Sequence, residues 1–216
     1  MRSILCFGDS NTWGFMPNKD KPPVKADNRY PWDVRWPGRL EAALGPGWRI
    51  VEEGLNGRTT AFDDPICPGR NGLETLEAIL LSHCPLDLVI IMLGTNDFKS
   101  HLHTSNYAMA EALVLYCERI PAICASNGQP VPKILLISPA ELDPGVLKLD
   151  DYDEDSLERS KAYGRFVKAI AERCGTAFLD ASAYVRATDI DGQHLTAAEH
   201  AKLAEAVAPV VREILG

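Results

Sequence analysis

Ser10, in the run Cys6-Phe7-Gly8-Asp9-Ser10-Asn11, stands directly behind an apolar segment, where a nucleophile could be displayed at the end of a strand. A serine hydroxyl attacks a carbonyl only if a base removes its proton. Of the five histidines, His194 is best placed for this, because Asp191 lies three residues earlier and can hydrogen-bond Nδ1 and fix the useful tautomer. Asp189, five residues from His194, is a second candidate orienter with a less easily accommodated spacing. Attack on an ester builds negative charge on oxygen, which requires donors already aimed at that point. The Ser10 N–H, the Gly57 N–H and the side-chain amide of Asn96 could supply them, and glycine lets backbone approach a ligand closely. The chemistry expected from this set is acyl transfer through an acyl-enzyme.

Elements of the right kind precede each block. Five apolar runs read as buried parallel strands: Ser3–Phe7, Trp48–Val51, Leu86–Leu93, Lys133–Ser138 and Thr176–Leu179. Residues 88–93 are apolar without alternation, as expected of a strand covered on both faces. Helical spacing separates the runs: Trp36 to Leu44, Leu73 to His83, Ser105 to Ala125 with Pro121 expected to kink or end it, and Leu157 to Cys174. Thr196-Ala197-Ala198-Glu199 predicts a capping box that opens a last helix. This alternation predicts one α/β domain over residues 1–216, a three-layer sandwich on a five-stranded parallel sheet of flavodoxin-like order 2-1-3-4-5. Ligands of such sheets bind beyond the carboxyl ends of the strands, the edge to which all four blocks project. Insertions at Phe15 to Tyr30, Thr59 to Arg70 and Pro139 to Asp153 are expected to wall a pocket there.

Composition narrows the partners. A net charge of −8 with no basic cluster argues against nucleic acid, and the acidic run 150–155 reads as a solvated loop. No apolar stretch approaches the roughly 18 residues of a membrane span, and the N-terminus lacks the pattern of a signal peptide. Six scattered cysteines without a Cys-x-x-Cys pair suit a reduced, cytoplasmic protein, with Cys117 and Cys124 on one helix face.

The blocks Gly8-Asp9-Ser10, Gly57, Gly94-x-Asn96-Asp97 and Asp191-x-x-His194 resemble, in order, those of the SGNH (GDSL-type) hydrolases, across essentially the whole chain. Residues 5–14, 52–60 and 87–97 are similar to the bacterial arylesterase/acyltransferase subgroup. The resemblance implies hydrolysis of short-chain aryl and alkyl esters, acyl transfer to alcohols or peroxide, no cofactor, and a closed homo-oligomer whose neighbours narrow the pocket mouth. Asn11 departs from the leucine of the GDSL name, at a position that is not catalytic in the family. Deacetylation of a sugar or another acetylated metabolite would use the same machinery, and a non-catalytic binding protein on this fold is the reading from another class.

A lone Gly-Asp-Ser is ordinarily a turn, and Thr12 stands where the Gly-x-Ser-x-Gly elbow would need its second glycine. The order of the four blocks is what favours catalysis. Trp13, as pocket wall, and Asn56 are the candidate substrate contacts. Asp97 is expected to serve structure, and Arg58 either contacts an anionic substrate or forms a structural ion pair. His101-x-His103 lacks companions for a metal site, and no metal is expected; His83 and His200 are expected to be chemically idle.

Overall fold

A computed structural model of the chain describes residues 1–17 and 28–216. Five parallel strands form one sheet: β1 (Arg2–Gly8), β2 (Trp48–Gly54), β3 (Leu88–Met92), β4 (Lys133–Ser138) and β5 (Ala177–Asp180), in the order β2-β1-β3-β4-β5. Strand sides alternate with period two, and both sides are apolar. Leu5, Phe7, Val89, Ile91 and Leu136 face one core, and Ile4, Cys6, Ile90, Met92 and Leu135 face the other. The first core is closed by α3 (Gly72–His83), α4 (Asn106–Ser126) and α5 (Glu154–Cys174); the second is closed by α2 (Trp36–Leu44) and α6 (Ala197–Leu215). The predicted three-layer sandwich and its strand order are therefore present.

Several boundaries differ from the sequence reading. A short helix, α1 (Ser10–Trp13), follows β1, in a segment not among the predicted helices. α4 runs on past Pro121 to Ser126, because Tyr116, Ile120 and Cys124 are buried on either side of the proline and their packing outweighs the missing hydrogen bond. α5 begins at Glu154, three residues before the predicted start, since Asp153 and Ser156 form a reciprocal capping box. The box predicted for α6 is half made. The Thr196 hydroxyl accepts the Glu199 N–H, but the Glu199 carboxylate turns away to accept the Arg186 N–H.

Two glycines let α1 lie flat on the strand ends. Gly8 and Gly54 are partners across β1 and β2, and a Cβ at Gly54 would come within 2.1 Å of the Trp13 backbone nitrogen. A Cβ on Gly8 would meet the Thr12 hydroxyl at 2.1 Å. On the other face of β1, Tyr116 of α4 packs against Phe7 and donates its hydroxyl to the Thr60 carbonyl in the loop after β2. All three groups are buried. Tyr116→Phe leaves that carbonyl without its donor in a dry site and should cost about 1–3 kcal/mol. Urea denaturation of the two proteins checks this, and equal midpoints would refute it.

Candidate active site

The switch point of the sheet lies between β1 and β3, and residues just beyond these strands meet there. Asp9 caps α1 by accepting the Asn11 N–H, which sets Ser10 as the first helical residue with its N–H pointing out of the turn. His194 comes from the loop before α6. Its Nε2 lies 2.9 Å from Ser10 Oγ, and its Nδ1 lies 2.8 Å from Asp191 Oδ2. The other oxygen of Asp191 accepts the backbone N–H groups of Gln193 and His194, so the carboxylate is held at both ends. Burial opposes its ionisation, but the hydrogen bond and charge of His194 prevail and keep Asp191 below the ordinary carboxylate value. Ser10, His194 and Asp191 form one continuous hydrogen-bonded line. Asp189 is not in it; its carbonyl instead receives the Lys148 ammonium.

Gly57 has φ +81°, a conformation that favours glycine. Beside it, the Asn96 amide donates to the Arg58 carbonyl at 3.1 Å, which draws the loop after β3 against the loop after β2. That bond uses one N–H of the amide and leaves the second as a donor. Among the described residues, no acceptor engages the Ser10 or Gly57 N–H. Asp97, next to Asn96, receives the Thr60 N–H on both oxygens (3.0 and 3.1 Å) and the Thr60 hydroxyl as well. It bolts the two loops together and is fully buried. Burial pushes its carboxyl up to about 6 in spite of the Thr60 donors, and neighbouring Asp9 adds to the rise. Burial also raises the Asp9 carboxyl.

Trp13 is half-buried. The Arg29 guanidinium covers its ring at 4.7 Å, and Arg29 in turn pairs with Glu52. Trp13 is thus one ring removed from the base, since Phe15 lies between, 6.3 Å from Trp13 and 4.4 Å from the His194 imidazole. Asn56 has a buried Oδ1 with no hydrogen-bond partner among the described residues. Arg58 is bonded to backbone carbonyls, and the nearby Glu53 and Asp9 carboxylates favour its charge against the cost of burial. Its guanidinium is buried 4.1 Å over Phe7 and donates to the carbonyls of Gly8 and Glu53. His101 and Lys99 both contact the Asp64 carboxylate, tying the second insertion to the loop after β3. Among the described residues, no group of three or more His, Cys, Asp or Glu is arranged to hold a metal ion. His83 contacts Glu53. Buried His200 accepts the Trp36 N–H, and burial takes its imidazole down to about 3, so it stays neutral.

Some contributors were not visible in the sequence. Tyr152 is buried within the acidic run read as a solvated loop, and its hydroxyl donates to Gln193 Oε1 at 2.9 Å. An aromatic ring inside a charged run was the available sign that this loop is anchored. Most of the first insertion, residues 18–27, lies outside the described residues.

A model of the GDSL-like lipase/acylhydrolase family matches residues 6–202. Among solved structures, the aryl esterase of M. smegmatis superposes with a TM-score of 0.93 at 37% identity over 100% of both chains. A carbohydrate acetylesterase from Sinorhizobium meliloti gives 0.93 at 39% identity, over 99% of this chain and 100% of that one. A lipase/acylhydrolase from Enterococcus faecalis, at 20% identity and a TM-score of 0.70, shares the fold. No curated protein sequence gave a match. No helix among the described residues is long and apolar enough to cross a membrane.

The raised Asp97 carboxyl has a sign that can be measured. Folding favours its protonated form, so its stabilising contribution is fully present below the ordinary value of 3.8 and is lost as pH climbs through about 6. Asp97→Asn cannot titrate, so the stability of the wild type relative to this variant should fall between pH 4 and pH 7. Urea denaturation across that range tests it; parallel profiles would count against a raised carboxyl.

Proposed function

The chain belongs to the GDSL-like lipase/acylhydrolase family, and on that footing we propose that it is a serine carboxylic ester hydrolase acting on short-chain aryl and alkyl esters. The observation that carries the reading is the unbroken line from Asp191 through His194 to Ser10 Oγ, with bonds of 2.8 and 2.9 Å. In the proposed reaction, Ser10 Oγ attacks the ester carbonyl while His194 Nε2 takes its proton. Asp191 holds the imidazole in the tautomer that leaves Nε2 free and stabilises the cation that forms. The developing oxyanion is met by the N–H groups of Ser10 and Gly57 and by the free N–H of Asn96. His194 then returns the proton to the departing alcohol, leaving an acyl group on Ser10. Water, activated by the same imidazole, attacks the acyl carbonyl and releases the acid; an alcohol or peroxide in its place receives the acyl group.

The 39% identity to a carbohydrate acetylesterase favours a second reading, removal of acetyl groups from a sugar by the same steps. In both cases the substrate is a small ester. The proposal takes residues 1–216 as one hydrolase domain, self-associated as the arylesterase resemblance implies. It places the protein in the reducing cytoplasm, a setting supported by six free cysteines. Trp13 and Asn56 are retained as substrate contacts, supported by the proximity of Trp13 to Phe15 and by the unpartnered amide oxygen of Asn56.

Hydrolysis of p-nitrophenyl esters from acetate to octanoate tests the reading. Acetate should be turned over fastest, Ser10→Ala and His194→Ala should nearly abolish turnover, and Asn96→Ala should cost about 100- to 1,000-fold, or roughly 3–4 kcal/mol. Ester hydrolysis that survives in Ser10→Ala would refute the mechanism, and octanoate faster than acetate would refute the short-chain preference.

A further inference from the structure

We infer that Asn11 is a positioning residue, setting the distance between the base and the nucleophile; this rests on the proposed Ser10–His194 mechanism and adds a residue to it. Asn11 follows Ser10 in the first turn of α1 and is 4% exposed. Its Nδ2 donates to the Gln193 carbonyl at 3.1 Å, and its Oδ1 accepts the Leu195 N–H at 3.0 Å. Those two groups belong to the residues on either side of His194. One side chain therefore grips the histidine's backbone before and after it and fastens it to the neighbour of the nucleophile.

The other hydrogen bonds of this loop do not perform that task. Asp191 accepts the Gln193 and His194 N–H groups, the Thr188 N–H donates to the His194 carbonyl, and Gly192 donates to Thr188. These bonds shape the loop internally and would travel with it if it shifted. Tyr152 binds the Gln193 side chain, and the Asp143 N–H donates to the Gly192 carbonyl, which ties the loop to the third insertion, across from α1. Among the described residues, the hydrogen bonds joining residues 191–195 to residues 9–11 are the Ser10–His194 contact itself and the two made by Asn11. Phe15 packs on the imidazole, but ring stacking resists sliding poorly compared with two directed bonds.

The chemistry of the amide is what the site requires. The backbone offers one acceptor and one donor, and an asparagine side chain presents the complementary pair at the same reach. Leucine, the residue of the GDSL name, presents neither. An aspartate keeps the acceptor for Leu195 but sets a second oxygen against the Gln193 carbonyl. Asn11 touches no reacting atom; it acts through His194.

The test is steady-state hydrolysis of p-nitrophenyl acetate by the full chain, with Asn11→Leu and Asn11→Asp alongside Ser10→Ala and His194→Ala, and thermal melting on each. A displacement of the order of 1 Å between reacting groups can cost about 100-fold, so folded Asn11→Leu should lose about 10- to 100-fold in kcat with KM within about twofold. Organophosphonate labelling of Ser10 should slow in parallel, because that reaction also needs the base. An unchanged kcat in folded Asn11→Leu, or a loss confined to KM, would overturn the inference. If Asn11→Leu does not fold, the near-isosteric Asn11→Asp is judged by the same split: a kcat loss of about fivefold or more supports the role, and an unchanged kcat overturns it. Activity that persists in Ser10→Ala and His194→Ala would instead sink the mechanism itself, whereas their inactivity beside a fully active Asn11→Leu sinks the positioning role alone.

Discussion

The nucleophile and its base are 184 residues apart in the chain and 2.9 Å apart in space, and this contact sets the demands on the rest of the fold. No local structure can join them. β1 must lie in the middle of the sheet, so that Ser10 emerges at the switch point, and the last loop must return over the same edge. Order 2-1-3-4-5 does both, because the chain closes one face with α3, α4 and α5 and comes back along the other with α6. The covered apolar sheet then supplies the rigidity that a contact of hydrogen-bond length requires.

Beneath the nucleophile, the polar framework is denser than the chemistry alone would call for. Asp97, Thr60, Arg58 and Asp9 are all buried; the first three tie one active-edge loop to another or to a strand end, and Asp9 caps α1. Arg58 spends its guanidinium on carbonyls at the ends of β1 and β2. Asp97 spends its carboxylate on Thr60, whose own carbonyl is held by Tyr116 from the far side of the sheet layer. A continuous network therefore runs from the helical layer to the Gly57 loop. Chained hydrogen bonds of this kind resist movement of the loops they join, which is what preorganised donors need.

Much of this could be read from the residues, and the reasons are specific. Strand positions were legible because both faces of the sheet are covered, so β3 and residues 134–137 of β4 are apolar without interruption. The Asp191-x-x-His194 pairing was legible because its partners are close in sequence, and the spacing alone nearly dictates the bond. What escaped depends on distant partners. The fate of Arg58 was decided by Phe7 and two carbonyls, none of which marks itself in sequence. Asn11 read as a departure from a family letter, because its two partners are backbone groups 182 and 184 residues away. Tyr152 was hidden by the charge of its neighbours. Pro121 misled for the opposite reason: a strong local preference gave way to packing on both sides of it.

Gly8 and Gly54 carry a consequence of another kind. They hold no proton, make no bond to substrate and lie outside the proposed reaction, yet neither leaves room for even a methyl group beneath α1. A saturation-mutagenesis map of this enzyme would mark them as intolerant as the nucleophile above them. Sensitivity to substitution would then trace the footprint of a helix seated on two bare strand ends, and a reader ranking residues by lost activity alone would mistake clearance for chemistry.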